Sequence, residues 1–155
     1  RQLVLFENGH RYQKDGVTGC WRVALGVGEK TGVYPSGPKR VEGDRKTPEG
    51  WYRTSDKPTS QYYKAIAIHY PGLTDAEYGL AQGIISQTQM MALKQAIERD
   101  EKPKQNSPLG GEILIHGGGS VADWTFGCIA MENEDLDALR GLLPPKIKTD
   151  VLILP

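Results

Sequence analysis

A chain of 155 residues, 38% apolar and 25% charged, has the composition of a folded globular protein and enough length for one core. Its 19 basic and 19 acidic residues cancel, which removes the electrostatic case for nucleic acid or an anionic membrane surface as partner. No apolar run nears the ~18 residues of a transmembrane helix, and two cysteines are too few for a disulfide-stapled scaffold. Nineteen glycines and ten prolines punctuate the chain and favour β structure. Residues 3–6 read as a strand ending at Asn8-Gly9, a hairpin turn pair, with 11–13 starting the return strand and 21–27 the next β run. Residues 28–50 read as an ordered loop, and 50–54 and 62–70 as strands, the second alternating through Ala65, Ile66, Ala67 and Ile68. A helix is expected over 87–100, capped by Ser86 or Thr88, with Met90, Leu93, Ala96 and Ile97 at helical spacing and the methionines packing in the core. Pro103 and Asn106-Ser107-Pro108 end that region, and residues 112–116 form a strand feeding Gly117-Gly118-Gly119. A second helix follows Asn133 as its N-cap, shows Leu136, Leu139 and Leu143 on one face, and stops at Pro144-Pro145 before a closing strand over 151–154. The expected fold is one mainly β domain over residues 1–155 with two helices packed on it. The start at Arg1 is that of a processed or trimmed product, and a lost signal peptide would leave no trace in it.

Chemistry concentrates near the end of the chain. Cys128 lies in Asp123-Trp124-Thr125-Phe126-Gly127-Cys128-Ile129-Ala130, twelve residues after His116 of Ile113-Leu114-Ile115-His116-Gly117. Cysteine attacks as the thiolate, and a nearby imidazole is the usual means of producing one near neutral pH. A small buried thiol is the plain alternative for Cys128, and a satisfied core histidine for His116. Three glycines after His116 and Gly127 before Cys128 favour the couple, because they bare the backbone and permit close substrate approach. Backbone N–H groups around Cys128 suit a developing oxyanion, and a backbone carbonyl such as that of Gly117 suffices to orient the imidazole. Trp124 and Thr125 flank the nucleophile and either shape its pocket or pack.

Other patterns carry less. His116 and Asp123 could begin a zinc site, but no histidine lies downstream to complete it. Gly26-Val27-Gly28 with Gly32 hints at a dinucleotide loop, yet Pro35 and Gly37 preclude the helix that must follow. His10 and His69 read as structural, and Cys20 as a buried free thiol in a strand-like run.

With these residues the chain resembles the L,D-transpeptidase catalytic domain (YkuD-like) family. The likeness runs in order through Gly37-Pro38-Lys39-Arg40-Val41-Glu42-Gly43-Asp44-Arg45-Lys46-Thr47-Pro48-Glu49-Gly50-Trp51-Tyr52, then Tyr63 to Pro71 with Asp75, then Gly110 to Gly117 and Asp123 to Met131. The Asp-Trp-Thr-x-Gly-Cys-Ile-Ala form looks like that of one subgroup. The resemblance implies a β-sandwich or cradle holding the cysteine and histidine, and action on peptidoglycan stem peptides. Cys128 would attack the carbonyl of an L-residue linked to a D-residue, at diaminopimelate. His116 would take the thiol proton, the Gly117 carbonyl would orient it, and the Gly127 and Cys128 amides would hold the oxyanion. The resemblance implies no metal or organic cofactor, and a periplasmic or cell-envelope location. Phe126 and Ala130 stand where many members carry histidine and arginine, and the His116-to-Cys128 spacing is short. These departures keep two alternatives open: a peptidoglycan L,D-carboxypeptidase or endopeptidase on the same fold, and an inert wall-binding module.

Overall fold

Among the described residues, 1–28 and 37–155 of a computed structural model, nine strands and three helices follow one another along the chain. The stretch 29–36 of the expected loop, with Gly32 and Pro35 of the discarded dinucleotide pattern, lies outside the described residues. The first strands are β1 (Gln2–Val4), β2 (Phe6–Glu7), β3 (His10–Arg11) and β4 (Cys20–Arg22), with β1 antiparallel to β4 and β2 to β3. The β2–β3 turn is made by Asn8 and Gly9, whose φ angles of 51° and 79° suit the mirror-image turn that hairpins favour.

Strand order fixes the site. β5 (Gly50–Lys57), β6 (Ala65–Ile68), β7 (Leu114–His116), β8 (Ile129–Ala130) and β9 (Asp150–Ile153) form one sheet in the order β8-β7-β6-β5-β9. All pairs in it are antiparallel except β7 with β8. Period-two alternation splits β6 between two faces. Ile66 and Ile68 join Ile113, Ile115, Ile129 and Met131 in the main core, each worth about 1.5–3 kcal/mol when fully buried. Ala65 and Ala67 face the other way, with Leu114 and Cys128. Ala65 and Ala67 thus place only methyl groups on the face that Cys128 shares.

The helices depart from the two expected. The second, α2 (Gln87–Glu98), is the one foreseen from residue 87; Ser86 caps it, its hydroxyl accepting from Gln89 N–H while the Gln89 side chain accepts from Ser86 N–H. Met90 packs toward the cluster of Ala76, Ile85, Leu93 and Leu109, whereas Met91 is exposed, so only one of the two helix methionines serves the core. The additional helix is α1 (Leu73–Ala81). Its N-cap is Gly72, with no side chain to signal it, and Asp75 reaches back to accept Gly72 N–H at 2.9 Å. Gly79 lowers its helix propensity but lets it approach Leu109, where a Cβ would stand 2.8 Å from that side chain. In α3 (Asn133–Leu142) the cap position is Glu132, not Asn133, which is the first helical residue and spends its side chain elsewhere. No helix is long and apolar enough to cross a membrane among the described residues.

Candidate active site

The parallel β7–β8 register pairs Ile115 with Ile129 and His116 with Ala130. Cys128, one residue before β8, therefore falls opposite Leu114 and shares a sheet face with His116, one diagonal step away. Neighbouring strands lie ~4.8 Å apart and each residue rises ~3.3 Å, so two such Cα atoms are about 8 Å apart, within the joint reach of a thiol and an imidazole. His116 is flanked in the sheet by Ala65 and Ala130, both fully buried and both small.

His116 is held from several sides. Its Nδ1 lies 2.6 Å from the Gly117 carbonyl oxygen. A carbonyl only accepts, so Nδ1 carries the proton and Nε2 is left as the basic nitrogen. Tyr62 stacks on the imidazole with centroids 4.9 Å apart, and Trp124 meets it edge-on at 5.5 Å. Burial under these rings lowers the His116 pKa below its ordinary value, partly opposed by the Gly117 hydrogen bond. The ring is therefore neutral near pH 7 and ready to accept a proton.

Cys128 is half-buried, and both cysteines are free. Leu114 N–H donates to its sulfur at 3.4 Å, and the thiol donates to the Glu112 carbonyl at 3.5 Å. Glu112 has a φ of 52°, left-handed for a non-glycine residue, while its carboxylate pairs with Lys57 and Lys102. Burial pushes the Cys128 thiol up, with the Leu114 N–H working against it. Both shifts oppose a standing thiolate–imidazolium pair and favour a neutral thiol with a neutral imidazole. Alkylation of Cys128 by iodoacetamide is accordingly expected to be slow at pH 6–8 and to keep climbing where an ordinary thiol has levelled off. A reactive plateau across neutral pH would show an ion pair instead.

The turn before Cys128 is stitched from within. Thr125 Oγ1 accepts Gly127 N–H at 3.2 Å and donates to the Cys128 carbonyl at 2.7 Å. Thr125 is buried, so it shapes the turn before Cys128 and presents nothing to a pocket. The Gly127 amide, expected at the oxyanion, is spent on that hydroxyl in this state. Gly127 itself has φ +125°, and a Cβ there would stand 2.7 Å from the Lys46 carbonyl oxygen, so only glycine fits. Trp124 is partly exposed, donates Nε1–H to the Gly119 carbonyl at 3.0 Å and packs on Gly118. Asp123, weighed above as a metal ligand, accepts Leu25 N–H at 2.8 Å and pairs with Arg1. Among the described residues no cluster of three or more histidine, cysteine, aspartate or glutamate side chains could hold a metal. His10 is exposed on β3 and His69 is buried beside β6.

Several contributors escaped the sequence reading. Tyr62 sits in the turn before β6, not in a strand. Tyr63 and Lys64 anchor that turn to α3 by donating to Asp137 at 2.7 and 2.8 Å. Asn133 Oδ1 accepts Gly118 N–H at 3.0 Å, and a Cβ on Gly117 would stand 2.2 Å from that oxygen. The Tyr62-Tyr63 doublet was the one visible signal, and apolar patterning placed it in a strand.

Comparison with known proteins meets this geometry. The family model described as the L,D-transpeptidase catalytic domain (YkuD) matches residues 1–153. YafK of Escherichia coli strain K12, whose L,D-transpeptidase name is itself provisional, is 31% identical over 106 residues, 66% of this chain and 30% of YafK. The same values hold for YafK of Escherichia coli O157:H7. The crystal structure of the helical cell shape determining protein Pgp2 from Campylobacter jejuni superposes with a TM-score of 0.52 at 26% identity, covering 95% of this chain and 41% of Pgp2. A single-residue variant of Pgp2 gives 0.53. The chain thus spans about three tenths of YafK and two fifths of Pgp2.

Proposed function

Because the chain belongs to the L,D-transpeptidase catalytic domain family, we propose that it is a cysteine acyltransferase acting on peptidoglycan stem peptides, of the Asp-Trp-Thr-x-Gly-Cys-Ile-Ala subgroup and working in the periplasm or cell envelope. The observation that carries this reading is the Nδ1–H bond from His116 to the Gly117 carbonyl, which leaves Nε2 basic on the face that Cys128 shares. In the proposed step the Cys128 sulfur attacks the L-centre carbonyl of diaminopimelate while its proton passes to His116 Nε2. The Cys128 amide meets the oxyanion; the Gly127 amide joins it by giving up its contact with Thr125. Collapse breaks the C–N bond, His116 returns the proton to the leaving amine of the D-residue, and a thioester remains. An incoming amine or water then attacks the thioester carbonyl and gives a proton to His116; the C–S bond breaks, and the proton returns to the Cys128 sulfur as the product leaves.

Water as acceptor is the second reading, favoured by the short connection between His116 and Cys128 and by the methyl-sized Ala130 beside His116. Product analysis separates the two. With a stem tetrapeptide and a competing amine, cross-linked or amine-exchanged peptide is expected from the acyltransferase and shortened peptide alone from the hydrolase. Saturable wall binding with no product would leave only an inert module.

A further inference from the structure

The segment 39–47 is more firmly built than a surface loop requires. Asp44 is buried, and its carboxylate accepts Arg40 N–H, Val41 N–H and Lys46 N–H at 2.7, 3.1 and 3.1 Å, and the buried Lys39 Nζ at 2.9 Å. These bonds hold the Asp44 carboxyl below its usual range against the opposing effect of burial. The loop is tied to the β4 extension, where Gly28 N–H donates to the Arg45 carbonyl at 2.9 Å and Gly26 N–H to Thr47 Oγ1 at 2.9 Å. A Cβ on Gly26 would stand 2.3 Å from the Arg45 carbonyl oxygen. On its other side the loop abuts the nucleophile turn through the Lys46 carbonyl at Gly127.

At its apex is Arg45, exposed and held at φ +54°. Its guanidinium lies over the ring of Phe126 at 4.5 Å from the centroid, two residues before Cys128. Phe126 is itself 69% exposed. A guanidinium resting on an aromatic face keeps its N–H fork unspent and restrained in orientation. Three other basic groups near the site are matched: Lys57 to Glu112, Lys64 to Asp137 and Arg140 to Asp56. Among the described residues no carboxylate or carbonyl takes a hydrogen bond from the Arg45 side chain. Among the described residues, Arg45 is thus an unmatched, preoriented cation on the ring two residues before Cys128.

We propose that Arg45, seated on Phe126, is a specificity-determining residue that binds a carboxylate of the acyl-donor peptide; this rests on the function proposed above. A planar fork suits a carboxylate bidentately, and the rigid loop means little ordering cost on binding. Two carboxylates of the donor qualify, the terminal one on the leaving D-residue and the one on diaminopimelate.

The test uses a stem tetrapeptide as free acid, as terminal carboxamide and as diaminopimelate side-chain carboxamide, following release of the terminal residue by wild type, Arg45→Gln and Arg45→Lys. The wild type is expected to prefer the free acid over one amidated form by about 10- to 100-fold in kcat/KM, the size of a hydrogen bond to a charged group. Arg45→Gln should lose that preference by slowing on the acid alone, mainly through KM, and Arg45→Lys should keep part of it. The amidated form that suffers identifies the carboxylate. An unchanged Cys128 alkylation rate in Arg45→Gln verifies an intact site. Preference that survives Arg45→Gln, or a wild type indifferent to amidation, overturns the assignment of Arg45 while the proposed function stands. A wild type that cleaves none of the three peptides overturns both.

Discussion

Cys128→Ala is expected to abolish turnover of stem peptides, by at least about 10³-fold, while leaving the fold in place. The side chain is half-buried against Ala65, Ala67 and Leu114, so trading a thiol for a hydrogen removes one atom from a face already lined by alanines. Its two sulfur contacts, to Leu114 N–H and the Glu112 carbonyl, are long and weak. Stability should therefore change by no more than about 1 kcal/mol, a small fraction of a domain's total. Thermal unfolding and turnover measured on the same sample separate the two effects. A variant that folds and still turns over would remove Cys128 from the chemistry. A variant that unfolds would mean that the thiol is a packing element.

His116→Asn is expected to cost about 10²- to 10⁴-fold in kcat/KM, the usual worth of a positioned general base. Asparagine retains a side-chain donor for the Gly117 carbonyl but cannot take a proton at the place of Nε2. It also gives up the ring contacts with Tyr62 and Trp124, for which about 1 kcal/mol of stability is a reasonable scale. The wild-type pH profile carries a further expectation. The base works in its neutral form, so activity falls as pH drops through the His116 pKa. Burial depresses that pKa, so the acid limb of kcat/KM should have its midpoint below 6.5, the ordinary histidine value. The limb should vanish in His116→Asn. An acid midpoint above 6.5 would mean that the imidazole is not desolvated in the free enzyme.

What the sequence disclosed and what it withheld follow from the range of the interactions involved. The Asn8-Gly9 turn, the Ser86 cap of α2 and the alternation of β6 are local, and each was readable from neighbouring residues. His116 and Cys128 could be paired from the sequence because both sit at strand ends next to glycines, and the structure gives those glycines a reason: Gly117 and Gly127 lie where a Cβ would collide with Asn133 and with the Lys46 backbone. Helix α1 was missed because its cap has no side chain and Gly79 answers to Leu109, thirty positions away, not to the helix. Tyr62 and Asp137 were missed for the same reason: one covers His116 and the other anchors the turn that carries it, through contacts of more than fifty residues' separation. Thr125 was visible as a flank of the nucleophile, but only the hydrogen bonds of its hydroxyl turn it from a pocket wall into a stitch within the loop.

The proposed function requires an acylatable thiol at Cys128, and a carbapenem tests that most directly, since its strained carbonyl stands in for that of the acyl donor. The protein is incubated with the drug and its intact mass read before and after, with peptide mapping of any adduct. A single covalent adduct on Cys128, absent from Cys128→Ala, is the predicted result. An unmodified mass with Cys128 still free by thiol titration, or an adduct on Cys20, would contradict it.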